Sequence, residues 1–243
     1  MIEFNNFCAI FDTVMALNGL SDLVENGESR KFYKLTERML TVNEYMNLTA
    51  IKDPAAIILL HYADSLTAAR FLPKNAKIAD IGCGAGFPCL PLAICRPDLS
   101  ILALDSTEKR IQYVAQTAEL LKCENLSTVA ARAEECGKGA YREQFDVCTA
   151  RAVASLPALS ELCLPFVRVG GTFLAMKGKK GEEELKEASS AIKKLGGEVA
   201  ELHAITLRSQ TETETRYLIE TKKVKPTPAE LPRQWAHILK KPL

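Results

Sequence analysis

Residues 76–106, AKIADIGCGAGFPCLPLAICRPDLSILALDS, constrain this chain more than any other stretch. An apolar run ends on Asp80, glycines follow at 82, 84 and 86, and a second apolar run ends on Asp105. The pattern predicts a strand, a tight turn, a helix and a second strand closed by a carboxylate. Such a unit forms one half of a nucleoside-binding sheet, because ligands of doubly wound sheets sit at the carboxyl ends of the strands. Glycine at 82, 84 and 86 lets the backbone take positive φ and approach a ligand where a Cβ would collide. Asp105 follows Gly86 by 19 residues, which places its carboxylate to accept the two hydroxyls of a ribose.

The turn discriminates between cofactors. A dinucleotide site shows G-x-G-x-x-G, whose helix N-terminus cradles a pyrophosphate. Here the sixth position is Phe87, followed by Pro88. G-x-G-x-G after a strand ending in Asp80 suits S-adenosylmethionine, which carries a sulfonium and an amino-acid tail in place of phosphates.

The rest of the chain fits that reading. From Ala76 short β-rich runs alternate with amphipathic helices, predicting strands near 77–82, 100–105, 126–131, 145–150, 170–177, 197–206 and 215–222. Helices are expected near 88–96, 107–122, 155–166 and 181–195. The last two strands, joined by a polar loop, are expected as an antiparallel edge hairpin. The fold class is therefore α/β, a Rossmann-like class I methyltransferase sheet of seven mostly parallel strands with an antiparallel edge strand. Residues 1–72 read as an N-terminal helical extension, with a helix stop at Gly27, a cap at Ser29 and a third helix from Pro54 to about Phe71. Residues 73–224 form the cofactor-binding domain and 225–243 a basic C-terminal tail.

Composition bounds the function. At 243 residues, with 47% hydrophobic and 25% charged side chains, the chain is an ordinary soluble globular protein. No apolar stretch has the length of a membrane span, and the first residues lack a basic signal-peptide region. Eight cysteines without C-x-x-C spacing read as buried hydrophobes of a reducing cytoplasm. His61, His203 and His237 are too scattered to join them in a zinc site, so no metal is expected. A net charge of +1 excludes binding nucleic acid through global charge. The cations from Lys222 onward, Lys222, Lys223, Lys225, Arg233, Lys240 and Lys241, read equally well as a solvated surface or as the edge of a phosphate-contacting one.

Strand ends carry the chemistry. After the third strand, Ala133 and Glu134 lie where an adenine would be held, Glu134 reading equally as a helix-dipole charge. The fourth strand, FDVCTARAV, shows neither the Pro-Cys of an enzyme that needs a thiolate adduct nor an Asp/Asn-Pro-Pro motif that orients an exocyclic amine. It ends in Thr149-Ala150-Arg151-Ala152 instead. An acceptor with its own free lone pair, such as guanine N7, needs no general base, and catalysis is then mostly positioning, with Arg151 as a positioning group.

These motifs, with Asn47-Leu48-Thr49-Ala50-Ile51, His61, Asp64-Ser65, Lys109-Arg110, Arg132-Ala133-Glu134, Lys177-Gly178 and Lys241-Pro242-Leu243, resemble the bacterial 16S ribosomal RNA guanine-N7 methyltransferases once called glucose-inhibited division protein B. The likeness runs from about Arg38 to the end. It departs at Cys89, where the family commonly has glycine, and in the stretch LPRQWAHILKKPL. The resemblance implies a cytoplasmic enzyme acting on 16S ribosomal RNA or the small subunit, with S-adenosylmethionine as donor. It places cofactor contacts on Gly82, Phe87, Ala133, Glu134 and Arg151. It makes His61, Asp64, Arg110, Lys177, Arg233, Lys240 and Lys241 candidates for the RNA side or for holding it together, His61 also reading as a local helix bond to Asp64. A methyltransferase of a small molecule or protein, a non-catalytic RNA-binding relative and a dinucleotide oxidoreductase remain the alternatives.

Overall fold

The computed structural model describes residues 2–24 and 27–243. Its frame is a sheet of β1 (Lys77–Ile81), β2 (Ser100–Asp105), β3 (Leu126–Ala130), β4 (Phe145–Arg151), β5 (Val167–Lys177), β6 (Gly197–Arg208) and β7 (Thr213–Lys223). The order is β3-β2-β1-β4-β5-β7-β6. Pairings from β3 to β5 are parallel, and β7 runs antiparallel to both β5 and β6. Strand order reverses between β1 and β4, so the carboxyl ends of these two strands open the crevice where such sheets bind ligands. β1 and β2 are buried along all but their first residue, as parallel strands covered on both faces are.

The expected hairpin forms the sheet's edge: β7 pairs with β5, and β6 lies outermost. The crossover after β5 sets β6 one strand position away, leaving two open edges. β7 fills that slot and satisfies the backbone groups of both neighbours.

The helices are α1 (Phe4–Leu17), α2 (Ser29–Met46), α3 (Pro54–Ile57), α4 (Asp64–Thr67), α5 (Cys89–Cys95), α6 (Glu108–Leu120), α7 (Ala133–Cys136), α8 (Leu156–Cys163), α9 (Gly181–Lys194) and α10 (Trp235–Lys240). Two expectations for the first of these need correction. α1 stops ten residues before Gly27, at Leu17, because Gly19 takes φ 63° and Leu20 N–H turns back to the Met15 carbonyl at 2.8 Å. Ser29 is the first residue of α2 and makes no side-chain cap. The third helix starts as expected, with Asp53 capping Ala56 N–H at 2.8 Å. It is not uniform, however: a π-helical segment, Ile58–Ala63, separates α3 from α4, and a 3₁₀ turn, Ala68–Phe71, ends the run.

The core lies in two layers. One joins α1, α2, α5 and α6 to one face of the sheet, and the other packs α8, α9 and α10 on the opposite face. An aromatic row crosses the first layer: Phe11 to Phe32 and Phe32 to Tyr62 at 4.9 Å between ring centroids, then Tyr62 to Phe87 at 6.0 Å. The N-terminal helices thus share one core with the turn after β1. Residues 225–243 also pack onto the body, where Leu231 and Ile238 are buried and Arg142 donates to the carbonyls of Thr227, Pro228 and Leu231.

Candidate active site

The turn after β1 is held from both ends. Gly82 and Cys83 N–H donate to the Leu104 carbonyl at 2.7 and 3.1 Å, and Gly86 and Phe87 N–H to the Cys83 carbonyl at 2.8 and 3.0 Å. Gly82, Gly84 and Gly86 take φ values of 71°, 55° and 90°. Their surroundings differ. A Cβ at Gly84 would meet nothing nearer than the Gly82 carbonyl oxygen at 3.9 Å, so this residue faces open space. A Cβ at Gly86 would run into the Leu90 side chain, so this glycine lets α5 pack under the turn and does not line the cavity above it.

That cavity, of about 410 Å³, lies at the carboxyl ends of β1, β2 and β4. Of the residues singled out from the sequence, it brings together Gly82, Gly84, Phe87, Asp105, Ala133, Glu134 and Arg151, with His61 and Arg110 also on its wall. Asp105 is 6% exposed. Its Oδ2 accepts Gly84 N–H at 3.0 Å and its Oδ1 accepts Thr107 N–H at 2.8 Å. Each carboxylate oxygen accepts two hydrogen bonds, so both keep an acceptor position for a diol. The Arg110 guanidinium stands 4.0 Å from Oδ2, at the rim of this cavity. Across from it Glu134 Oε1 accepts Trp235 N–H at 3.3 Å, which brings the chain's one tryptophan onto the wall.

Asp80 lies beneath, not in the cavity. It is buried, accepts Cys89 N–H at 3.1 Å and the Thr149 hydroxyl at 3.2 Å, and so ties the start of α5 to β4. Burial pushes its carboxyl up to about 6. Cys89, where the resembled family commonly has glycine, is fully buried and meets Asp80 with its thiol as well as its backbone N–H.

Arg151 is the junction of the site. Its Nη1 donates to Asp64 Oδ2 at 2.9 Å and to the Leu60 carbonyl at 3.1 Å, its Nη2 lies 3.4 Å from His61 Nδ1, and its guanidinium sits 5.2 Å from the Phe87 ring centroid. The π-helical segment supplies Leu60 and His61 together, an instance of such segments placing groups at functional positions. His61 stacks on Phe87 at 4.6 Å and 10°, with Nε2 2.9 Å from the Thr49 hydroxyl. Burial, and then the charge of Arg151, lower its pKa to about 3, so the ring is neutral. Nδ1 faces a donor and is the acceptor, which leaves the ring proton on Nε2. The expected local bond between His61 and Asp64 does not form, since both side chains turn to Arg151.

A second cavity, of about 350 Å³, opens on the other side of the same wall and shares His61, Arg151 and Ala152. Lys177, Glu184 and Arg216 also line it. Lys177, expected on the RNA side, is 8% exposed and donates to the Ala154 carbonyl at 2.8 Å and to Glu184 Oε2 at 2.7 Å. Glu184 and Arg216 were not foreseen, because in sequence they are ordinary members of a charged helix and an alternating strand.

Among the tail cations, Arg233 forms a two-pronged pair with the fully buried Glu161 at 2.9 and 2.6 Å and is thereby a strut between the tail and α8. Lys223 is buried against the Leu164 carbonyl, the Thr227 hydroxyl and Glu143. Lys222 pairs with Glu220 at 2.6 Å. Lys225, Lys240 and Lys241 are exposed. All eight cysteines are free thiols. One histidine cluster was missed: β6 and β7 bring His203 within reach of Glu201 and Glu220, on the edge hairpin away from both cavities.

Known proteins share this fold and, at higher identity, this family. The chain resembles the SAM-dependent methyltransferase from Aquifex aeolicus (TM-score 0.55, 15% identity, 78% of this chain and 98% of that one). It also resembles M. jannaschii TYW2 in complex with AdoMet (TM-score 0.51, 14% identity, 66% and 75%). These likenesses establish the class I methyltransferase fold. Ribosomal RNA small subunit methyltransferase G of Lactobacillus delbrueckii subsp. bulgaricus is 44% identical over 221 residues, 89% of this chain and 92% of the relative. The protein of the same name from Staphylococcus aureus strain Newman is 43% identical over 209 residues, 85% and 87%. With the family model for GidB, rRNA small subunit methyltransferase G, matching residues 28–213, the chain belongs to the rRNA small subunit methyltransferase G family.

Proposed function

We propose that this chain transfers the methyl group of S-adenosylmethionine to N7 of a guanine in 16S ribosomal RNA of the small subunit. The observation that carries the reading is the cavity over the β1 turn, lined by Asp105 and by Arg151, which lines a second cavity as well. Its residues fit the cofactor: Gly84 leaves room where a Cβ would stand, and Asp105 keeps two acceptor positions at the end of β2. When bound, the sulfonium supplies an activated methyl group and a neutral leaving group.

The protein's part is positioning. Asp105 holds the ribose hydroxyls, the turn at Gly82 and Gly84 holds the amino-acid end, and the N–H of Ala133, which opens α7 and has no helical partner, faces the adenine. Phe87, stacked between His61 and the aromatic row, fixes the wall behind the reacting centre. Arg151 orients the acceptor without taking a proton, since N7 attacks through its own lone pair. In-line displacement leaves the net charge of the pair unchanged, and a dry, preorganised wall serves it better than a general base. The reading puts the reaction in the cytoplasm, where small subunits are assembled. Among the described residues no helix is long and apolar enough to cross a membrane.

Transfer of labelled methyl to small subunits from cells lacking this gene, followed by mapping of 7-methylguanosine in their 16S RNA, tests the proposal. One labelled guanine supports it. Label in protein or in small molecules alone overturns it.

A further inference from the structure

The second cavity shares His61, Arg151 and Ala152 with the first, and its lining holds an ion pair that the cofactor reading does not use. Lys177, at the end of β5, and Glu184, in the first turns of α9, meet there at 2.7 Å. Lys177 spends one N–H on the Ala154 carbonyl and one on Glu184 Oε2, leaving the third of its three donors. Glu184 accepts Leu156 N–H at 2.7 Å on the same Oε2, so both of these contacts fall on one oxygen and Oε1 is left to accept. Leu60, Met176 and Leu218 give the cavity apolar sides.

We infer that Lys177 and Glu184 form the reader of the acceptor base, with Lys177 donating to guanine O6 and Glu184 Oε1 accepting from N1–H and N2–H. The inference rests on the methyl-transfer reading above. Its logic is the geometry of the purine. N7 must point at the shared wall, where the methyl group arrives, so O6 lies along one side and the N1–N2 edge faces the opposite wall.

A donor beside an acceptor on that wall matches guanine's acceptor-donor-donor order. Adenine, with an amino group at position 6 and a bare N1, meets like against like at both places. Asp64, the other carboxylate of the cavity, does not fit this role. It is bound to Arg151 at 2.9 Å, stands 3.8 Å from Arg216, and lies on the N7 side. The Glu184 contact also strengthens during reaction. As N7 gains the methyl group the ring becomes cationic and N1–H a better donor, so a carboxylate there favours the transition state over the bound substrate.

The test uses small subunits reconstituted with 16S RNA in which the methylated guanine is replaced by inosine, which lacks only the N2 amino group. The parent chain is expected to methylate inosine with kcat/KM lower than guanine by about tenfold to a hundredfold, the range for losing part of a paired edge contact. Glu184→Gln keeps an oxygen for Leu156 N–H and Lys177 but presents a donor to the base. Its guanine rate should fall far more than its inosine rate, bringing the ratio toward one, with S-adenosylhomocysteine affinity within about twofold of the parent's by calorimetry.

Equal rates on guanine and inosine by the parent chain, or an unchanged ratio in Glu184→Gln, would overturn the inference while leaving methyl transfer intact. Absence of any transfer to guanine by the parent chain would overturn the functional reading itself. The inosine comparison on the parent chain needs no variant to fold.

Discussion

The two cavities share a wall but are made of different material. The first rests mainly on backbone: a turn whose N–H groups are tied to Leu104 and Cys83, and the Asp105 carboxylate, which accepts two main-chain N–H groups and has Arg110 4.0 Å away. The second is side chain: Asp64, Arg151, Lys177, Glu184 and Arg216, each held by an opposite charge. A fixed ligand is served by a fixed backbone, which changes little when one side chain goes. Selection among bases needs donors and acceptors placed individually, and each is kept in place by a partner that suffers when it is removed. Truncation should therefore cost ligand affinity in the first cavity and fold stability at the wall of the second.

Arg151→Met is the largest test of that contrast. The pair with Asp64 is 13% and 8% exposed, and its loss leaves Asp64 buried with only Arg216 at 3.8 Å. Breaking a buried pair from one side costs about 3–5 kcal/mol, read by denaturant titration, and transfer should vanish with it. Lysine should not restore it, because one ammonium cannot serve Leu60, Asp64 and the Phe87 face together. A variant as stable as the parent would mean that the shared wall is not a strut.

Asp105→Ala is the matching test in the backbone cavity. It removes an acceptor from the ribose position and should weaken S-adenosylhomocysteine binding by about 1–3 kcal/mol, with the melting midpoint little changed because Gly84 and Thr107 N–H then face a cavity open to water. Unchanged affinity would remove Asp105 from the cofactor site.

The same contrast explains what the sequence disclosed. The turn and the carboxylate of the first cavity come from local chain, so spacing sufficed for them: Asp80, three glycines and Asp105 fall in about thirty residues, and a positive φ at each glycine follows from residue type. Spacing did not reveal that Gly86 serves α5 and Gly84 the opening, since that depends on where Leu90 sits. The second cavity draws on residues 60, 64, 151, 177, 184 and 216, which no local pattern links. Glu184 lies in GEEELKE, indistinguishable in sequence from its solvated neighbours. The π-helical segment was hidden as well, because the apolar rhythm of 54–71 suits a plain helix. The tail misled through composition: a count of cations cannot tell Arg233, spent on Glu161, or the buried Lys223 from an exposed lysine.

A smaller effect separates the shared wall from the buried tie beneath the turn by pH. His61, lowered to about 3 from 6.5, is neutral when folded, so the unfolded chain binds more protons between these values and this contribution is lost as pH falls from 6.5. Asp80, raised to about 6 from 3.8, acts in the opposite sense: its contribution is full below 3.8 and lost as pH rises through 6. The slopes of these two groups oppose each other between 3.8 and 6. His61→Gln removes one of them. Its stability relative to the parent should then rise between pH 7 and pH 5 by up to about 2 kcal/mol, measured as the difference between two denaturation midpoints. An unchanged difference would mean that His61 titrates normally and that its stacking on Phe87 does not exclude water.

The smallest effect is expected outside both cavities, at Lys240 and Lys241. They are exposed at the end of α10, whose Ile238 is buried in the core and whose first residue, Trp235, lines the first cavity. If they meet the RNA backbone, each adds one phosphate contact and no base reading. Replacing either with alanine should weaken RNA binding severalfold, without changing stability or cofactor affinity, and should reduce the slope of log affinity against log salt by about 0.7–0.9 per lysine. Arg233→Ala supplies the contrast within the same tail. Its guanidinium is held by Glu161, so its loss should lower the melting midpoint and leave the salt slope alone. A reduced salt slope in Arg233→Ala, with none in the lysine variants, would reverse the assignment and move the RNA path from the end of α10 to the strut beneath it.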